Sequence, residues 1–277
     1  MPFFDTPLSG VEHVPPAPSA GLIVLHGLAE HTGRYERPIA HLAASGLACF
    51  AYDQRGHGRS PGARADVERF SLFADDFATI RAGIAARYPQ LPLFVWAHSL
   101  GSIVALLSAL DPRNDLAGVI TTGCAARAVP SLPLTVYSAA CKLTALLPTV
   151  RVNPGLEVEW LSHDQTVQQA YLQDPLVQKK VSLHLLLELG RTCGHVLENA
   201  SSIRVPWLAV HGAEDRIAPP EGSKQLIRRL GSPDKQLRIE PGLRHEVHNE
   251  TEPAATQFLD LILGWIRERT RILRTDS

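Results

Sequence analysis

The stretch Leu91–Gly101, LPLFVWAHSLG, contains a short apolar run that ends just before Ser99. A continuous apolar run of this length is typical of a strand buried on both faces. The apolar residues that follow recur at helical spacing: Ile103, Leu106, Leu107 and Leu110. We therefore predict a strand, a tight turn at Ser99 and a helix, with the serine hydroxyl projecting from the edge of a sheet beside unpaired helix N–H groups.

Similar apolar runs elsewhere in the chain predict the remaining strands. They are Leu22–His26, Leu47–Tyr52, Leu116–Thr121 and Val205–Val210, with a shorter run at Leu237–Glu240. Amphipathic patterns predict helices between them, most clearly over Phe70–Ile84 and Phe258–Ile266. Buried strands that alternate with amphipathic helices indicate an α/β fold with a mostly parallel central sheet and helices on both faces. Binding sites in such sheets lie at the carboxyl ends of the strands.

The alternation of strands and helices stops between Cys124 and Ser201, where helical segments follow one another. We interpret residues 124–201 as an inserted helical cap, and residues 1–123 with 202–277 as one α/β core. A chain of 277 residues is long enough for one domain with such an insertion.

Composition excludes several classes of function. With 45% hydrophobic residues, 20% charged residues and a net charge of -1, the chain has no field suited to holding nucleic acid. Its four cysteines lie far apart without a CxxC pair, so neither a metal site nor a redox motif is predicted. The first residues, MPFFDTPLSGVEHVPP, lack the basic and apolar regions of a signal peptide. We expect a cytoplasmic protein.

Two residues later in the chain complete a catalytic constellation with Ser99. A serine hydroxyl needs a histidine to accept its proton and a carboxylate to orient that histidine. Asp215 follows the strand Val205–Val210, and His245 lies in a loop after Leu237–Glu240. The order serine, acid, histidine is common among serine hydrolases, and all three positions fall at the same sheet edge. It favours a nucleophile over the alternative, a plain helix N-cap serine.

The acid and the base each have a neighbouring alternative. Glu214 precedes Asp215, and His248 follows His245 by three residues. Position after the strand favours Asp215 and His245. Acyl transfer also needs N–H donors for the oxyanion, and we assign these to the backbone of Leu28, in the turn permitted by Gly27, and of Leu100, the residue after the nucleophile.

Several stretches together resemble the monoacylglycerol lipase and lysophospholipase family of α/β-hydrolases. They are HGLAEHTGRYERPIAHLAASGLACFAYDQRGHGRSPG, AHSLG, QAYLQDPLV, HGAEDRIAPP and RHEVHNE, and they extend from about Leu22 to Glu250. HGxxEHxxRY and DQRGHGxS are far more specific than a serine turn alone. The resemblance implies an α/β-hydrolase fold with a cap, the triad Ser99, Asp215 and His245, oxyanion donors at Leu28 and Leu100, and no metal or organic cofactor.

The resemblance also implies head-group contacts. Glu30, Arg34 and His248 would line the polar end of the pocket, and Tyr171 would lie near the leaving alcohol. Alternatively, Glu30 and Arg34 pair only to hold the oxyanion loop. The chain departs from the family in two places: Ala97 replaces the usual first glycine of the serine turn, and the segment before Leu22 lacks a strand pattern, which indicates a shortened sheet edge.

These inferences predict a serine hydrolase of single-chain lipid esters, most simply of monoacylglycerol to fatty acid and glycerol. A general carboxylesterase, a lysophospholipase, a thioesterase or an acyltransferase would use the same triad. A catalytically silent binding module is the alternative of a different class. The segment Ala128–Val150 carries only one charge, at Lys142. We expect it to line an acyl channel or to rest transiently on a membrane or micelle, unless it is simply a buried pair of helices.

Overall fold

The computed structural model describes residues 3–127, 134–147 and 150–275. Its strands are β1 Gly10–His13, β2 Ala20–Leu25, β3 Leu47–Tyr52, β4 Leu93–His98, β5 Gly118–Thr122, β6 Arg151–Val152, β7 Val181–Ser182, β8 Trp207–Gly212 and β9 Lys235–Glu240. Its α-helices are α1 Glu36–Ala44, α2 Ser71–Arg87, α3 Leu100–Ala109, α4 Leu134–Leu146, α5 Gln165–Gln173, α6 Leu183–Asn199, α7 Glu221–Arg229 and α8 Ala254–Thr275.

Seven strands form one sheet in the order β1-β3-β2-β4-β5-β8-β9. The pairing of β1 with β3 is antiparallel, and all other pairs in this sheet are parallel. Every residue of β2, β3, β4, β5 and β8 is buried, which is why these strands appear in the sequence as continuous apolar runs. The predicted mostly parallel α/β fold is confirmed.

Alternate residues of the strands pack into two hydrophobic layers. Ile23, Phe50 and Val95 face one layer, which is completed by side chains of α2, α3, α6 and α7. Leu22, Cys49 and Phe94 face the other layer, which is completed by α1 and α8. Because successive strand residues point to opposite faces, a sheet buried on both sides needs helices on both sides.

The segment before β2 contributes a strand that the sequence pattern did not predict. β1 forms the edge of the sheet, with Gly10 opposite Tyr52 and His13 opposite Cys49. Three of its four residues are exposed. An edge strand whose side chains face solvent has no apolar alternation, so periodicity does not reveal it.

The insertion between β5 and β8 contains α4, α5, α6 and a small antiparallel pair of β6 with β7. Its last helix is joined to the core, because Leu185, Leu189 and Val196 of α6 belong to the same hydrophobic cluster as α3. Residues 128–133 and 148–149 of the apolar stretch Ala128–Val150 lie outside the described residues. Among the helices described, none has the length and apolar character needed to cross a bilayer.

Gly101 tests how tightly α3 packs on the sheet. A Cβ at this position would lie 2.6 Å from the carbonyl oxygen of Leu25 and 2.8 Å from that of His26. We expect Gly101→Ala to lower the free energy of unfolding by about 1–3 kcal/mol, because backbone must move to relieve the overlap. Urea titration followed by circular dichroism measures this change.

The matched control is Gly194→Ala in α6, where a Cβ would meet no atom within 4 Å. There the same substitution should stabilise the protein by about 0.5–1 kcal/mol, through helix propensity alone. Equal effects at the two positions would contradict the packing argument.

Candidate active site

Ser99 occupies the turn between β4 and α3 in a strained backbone conformation, which contacts with neighbouring residues must stabilise. Its φ is 50° and its ψ is -117°, a region that non-glycine residues rarely adopt. Its N–H donates to the carbonyl of Thr122 at 2.9 Å, and its carbonyl accepts from the N–H of Ser102 at 3.0 Å. The turn is therefore anchored on the neighbouring strand and on the helix that follows it.

Ala97 does not disturb this turn. The residue is fully buried, with Leu25 and Thr121 as its neighbours across the sheet. Its methyl group joins the hydrophobic cluster that includes Leu100 and Ile103. The neighbouring side chains accommodate alanine where the family usually has glycine, and Ser99 still has the positive φ of a sharp strand-to-helix turn.

Asp215 and His245 form a buried pair at the same edge of the sheet. The ring Nδ1 of His245 lies 2.7 Å from Oδ2 of Asp215, and the two residues are 3% and 5% exposed. Asp215 Oδ1 accepts the N–H groups of Ile217 and Ala218, each at 2.9 Å. With Nδ1 donating to the carboxylate, Nε2 is the nitrogen left to accept a proton from a substrate or a nucleophile.

The alternatives for acid and base lie in different surroundings. Glu214 is exposed, and its nearest charged partner is His163, at 3.8 Å. His248 is fully buried and stacks on Tyr35 with ring centroids 4.8 Å apart. The geometry therefore pairs Asp215 with His245, and it pairs neither alternative with Ser99.

Burial and pairing shift the pKa values of both groups. Burial raises the pKa of Asp215, but the charge of His245 and hydrogen bonds from His211 and His245 outweigh it and hold the pKa well below its usual range. Burial lowers the pKa of His245, but the charge and hydrogen bond of Asp215 outweigh that effect, and the pKa ends above its usual value. The pair is thus arranged to stabilise an imidazolium next to a carboxylate.

A cavity of about 310 Å³ opens onto Ser99 and His245. Among the described residues no hydrogen bond joins Ser99 Oγ to His245, but both side chains border the same space. Beside Leu28 and Leu100, its apolar lining comes from the insertion and from the loop after β8: Leu156, Trp160, Leu161, Leu186, Leu189 and Ile217. A larger hollow of about 750 Å³ lies elsewhere and contains neither Ser99 nor His245.

Leu28 and Leu100, whose N–H groups are the predicted oxyanion donors, both border this cavity. Leu100 is the first residue of α3, so its N–H has no partner within the helix. The N–H of Leu28 donates to no described group. A Cβ on Gly27 would lie 3.1 Å from that of Ser99, so only glycine lets the loop after β2 approach the serine this closely.

Glu30 ties that loop to the protein. Its Oε1 accepts the N–H of Gly27 at 2.5 Å and the hydroxyl of Tyr35 at 2.8 Å. Its Oε2 accepts Nη1 of Arg34 at 2.7 Å. Arg34 in turn donates two hydrogen bonds to Glu246, at 2.5 and 2.8 Å. Glu30, Arg34 and Glu246 form a three-residue ion network, which we call the Glu–Arg–Glu network.

The Glu–Arg–Glu network is buried and still borders the cavity. The three side chains are between 2% and 8% exposed, and all three line the polar end of the pocket. Burial lowers the pKa of Arg34, but the charges of Glu246 and Glu30 outweigh it, so the net shift is upward. One guanidinium between two carboxylates gives this end of the site a formal net charge of -1.

The two remaining predicted contacts differ in position. Tyr171 borders the cavity, and its ring lies 4.8 Å from the guanidinium carbon of Arg34. Burial raises the pKa of Tyr171 to about 12, so its hydroxyl stays protonated. His248 does not border the cavity, and neither of its ring nitrogens has a hydrogen-bond partner among the described residues. Its location gives no support to a direct contact with a substrate.

Sequence reasoning missed three residues of the site. Glu246 stands beside His245, but nothing in the sequence shows that it pairs with a residue 212 positions away. His98 precedes Ser99, and its ring lies 4.6 Å from that of His245. His211 donates to Asp215 from four residues upstream. Spacing alone does not distinguish these from the other histidines and carboxylates. Within the described residues, no group of three or more His, Cys, Asp or Glu side chains is arranged to hold a metal ion.

The Glu–Arg–Glu network predicts an unequal response to two arginine substitutions. Arg34→Met should lower the free energy of unfolding by about 3–5 kcal/mol, because two buried carboxylates lose their counter-ion. Arg113→Met, which removes a side chain 87% exposed from its pair with Asp111, should leave it almost unchanged, because solvent screens an exposed ion pair. Chemical denaturation at neutral pH compares the two, and similar effects would show that the buried network adds nothing to stability.

Comparison with known proteins agrees with this geometry. Residues 16–252 match the family model described as serine aminopeptidase, S33. Monoacylglycerol lipase of Mycolicibacterium smegmatis is 36% identical over 252 residues, 89% of this chain and 88% of that protein. Monoglyceride lipase of Homo sapiens is 30% identical over 262 residues, 94% and 86% of the two chains. The crystal structure of Paleococcus ferrophilus monoacylglycerol lipase superposes with a TM-score of 0.82 at 27% identity, covering 95% and 99%. The chain therefore belongs to the serine aminopeptidase S33 family of α/β-hydrolases.

Proposed function

We propose that the protein is a serine hydrolase of carboxylic esters, with Ser99 as nucleophile, His245 as base and Asp215 as the acid that orients it. The observation that carries the proposal is the buried Asp215–His245 pair, which opens onto the cavity that Ser99 borders from a positive-φ turn. This combination supports the assignment of a base, its orienting carboxylate and a hydroxyl nucleophile to these three residues.

The proposed mechanism follows from the atoms available. Nε2 of His245 takes the proton of Ser99 as Oγ attacks the ester carbonyl, and Asp215 stabilises the imidazolium that forms. The N–H groups of Leu28 and Leu100 bind the oxyanion. His245 then gives its proton to the departing alcohol, and afterwards activates the water that releases the acid and restores Ser99. Each step uses groups of this chain alone.

For the substrate we propose an ester of one acyl chain with a small neutral polyol, as in a monoacylglycerol. The side chains that form the apolar lining would take the acyl chain. Glu30 would accept hydrogen bonds from the alcohol hydroxyl groups, Arg34 would donate to them and the Tyr171 hydroxyl could do either. The formal net charge of -1 in the Glu–Arg–Glu network disfavours an anionic head group. The relatives named monoacylglycerol and monoglyceride lipase support this choice.

We further propose that the insertion contacts lipid surfaces. Among the described residues of this segment, three large apolar side chains are exposed: Leu143 at 42%, Leu147 at 53% and Leu172 at 51%. Leu143 and Leu147 are one helical turn apart, so they project from the same side of the chain. Contact with a micelle or membrane would cover these side chains while a single-chain lipid enters the cavity.

A fluorophosphonate probe should label Ser99. The reaction needs an activated hydroxyl, so intact-mass spectrometry should show one adduct on the wild type and none on Ser99→Ala. Asp215→Asn should slow labelling by roughly 10³–10⁴-fold, because the amide no longer fixes the imidazole tautomer. Ser108→Ala, a serine of α3 near its other end, should react like the wild type. An adduct that persists in Ser99→Ala would rule out the nucleophile.

A panel of esters tests the substrate. We expect 1-monoacylglycerols to be hydrolysed with at least about tenfold higher kcat/KM than ethyl esters of the same acyl chain, since a site built to hydrogen-bond hydroxyl groups discriminates against analogues without them. Lysophospholipids and acyl thioesters of equal chain length complete the panel. Equal rates with glyceryl and ethyl esters would make the protein a general carboxylesterase, and a preference for thioesters would make it a thioesterase.

A further inference from the structure

The carboxylate of Asp215 receives four hydrogen bonds, and only one of them comes from His245. Oδ1 accepts two backbone N–H groups, from Ile217 and Ala218. Oδ2 accepts Nδ1 of His245 at 2.7 Å and also lies 2.9 Å from Nε2 of a second imidazole, His211. Two histidines therefore share one oxygen of the proposed catalytic acid.

The contacts of His211 determine which of its nitrogens carries a proton. Nε2 lies 2.9 Å from Asp215 Oδ2 and 2.7 Å from the carbonyl oxygen of Ala218, and both of these atoms can only accept. Nδ1 lies 2.7 Å from Oγ of Ser223, in α7, which can donate its hydroxyl proton. A ring that donates from Nε2 and accepts the Ser223 hydroxyl proton at Nδ1 satisfies every one of these contacts.

His211 is placed to act on Asp215 and not on a substrate. It lies in β8, is fully buried and does not border the cavity. Its strand is held between β5 and β9, and Ser223 fixes the ring from the helix packed against it. The position of the Nε2 proton is therefore set by rigid elements.

Resting on the proposed function, we infer that His211 is a positioning residue for the base: its Nε2–H holds the Asp215 carboxylate in place and limits the negative charge that Oδ2 offers to His245. A donor on the shared oxygen weakens the attraction between that oxygen and an imidazolium. His211 therefore restrains the upward shift that Asp215 imposes on the pKa of His245. His211 thereby lets His245 remain unprotonated, and so able to accept a proton, at lower pH, while the Asp215 carboxylate stays oriented.

The other groups that face His245 act in both directions and remain in place when His211 is changed. Glu246 in the same loop and Glu30 in the loop after β2 raise its pKa, as Asp215 does. His98, at the end of β4, faces its ring. Arg34 neutralises much of the charge of Glu30 and Glu246. A change confined to His211 therefore isolates the effect of one donor on Oδ2.

The test compares the pH dependence of ester hydrolysis in His211→Leu, His211→Gln and the wild type, with p-nitrophenyl butyrate as substrate. In His211→Leu the acid limb of kcat/KM should move upward by roughly half a pH unit or more, because the bare oxygen holds the imidazolium more strongly. The value of kcat should fall roughly tenfold, because the carboxylate is freer to rotate. KM should stay within about twofold, since His211 does not touch the cavity.

His211→Gln should restore the wild-type acid limb, because an amide N–H at the end of this side chain can donate to Oδ2. Val210→Ala removes a buried side chain from the same strand on the opposite face of the sheet, and it should lower stability without moving the acid limb. An acid limb in His211→Leu that coincides with that of the wild type would overturn the inference, as would a change confined to KM.

A second measurement does not require a variant to fold. In wild-type protein labelled with ¹⁵N histidine, the ring shifts of His211 at the pH optimum should report a proton on Nε2 and none on Nδ1. A proton on Nδ1 would overturn the inference. Ser99→Ala separates this question from the proposed function: undiminished hydrolysis by that variant would refute the triad, whereas its inactivity with an unchanged His211→Leu profile would refute only the role of His211.

Discussion

The parallel pairing of β2, β4, β5 and β8 determines where every group of the site lies. Parallel strands end at the same edge, so the loops that leave their carboxyl ends meet there. This constraint brings together the oxyanion loop after β2, Ser99 after β4, Asp215 after β8 and His245 after β9. The hydrogen bond from Ser99 N–H to the carbonyl of Thr122 shows the dependence directly, since the strained turn is held by the end of the neighbouring strand β5. The sheet supplies the position, and the loops supply the chemistry.

Several charged groups at this edge are buried, and Arg34, Glu30, Glu246 and Asp215 among them each have a counter-charge or several donors. Arg34 lies between two carboxylates, and the Asp215 carboxylate accepts four hydrogen bonds. An unpaired charge there would be costly, whereas a fully compensated one is fixed in orientation. Among the described residues that border the cavity, the groups without a hydrogen-bond partner include the N–H groups of Leu28 and Leu100, the hydroxyl of Ser99 and Nε2 of His245. These are the groups that the proposed reaction uses.

The fold could be read from the sequence because the central strands are buried on both faces and form continuous apolar runs. β1 could not be read in this way, because an exposed edge strand leaves no apolar pattern.

The same distinction between patterned and unpatterned residues applies to the site. The triad positions follow from the order of residues after strands, and the structure places Asp215 and His245 in contact. Glu246 and His211 were missed because their partners are defined by tertiary geometry: a lone carboxylate or a strand histidine looks the same whether it is buried against a charge or solvated. The apolar stretch Ala128–Val150 was expected to line an acyl channel, to rest on a membrane or micelle, or to form a buried pair of helices, and part of it lies outside the described residues. The described apolar lining of the cavity comes from the loop after β2, from the start of α3, from the insertion and from the loop after β8, and how the insertion folds back is not readable from periodicity.

The serine turn shows why a degenerate motif can keep its function. Its two small positions look equivalent in the sequence, yet they meet different surroundings. At Gly101 a methyl group would overlap two carbonyl oxygens of the chain at the end of β2, and backbone oxygens of a central strand cannot move without disturbing its pairing. At residue 97 the methyl group of alanine points into a hydrophobic layer, where side chains can adjust around it. Residue 97 contacts side chains that can adjust, so alanine is tolerated there. Residue 101 contacts backbone oxygens that cannot move easily, so its position requires glycine. Ser99 keeps its positive φ because the contacts that impose it, from Thr122 and Ser102, are made by main-chain atoms that do not depend on residue 97.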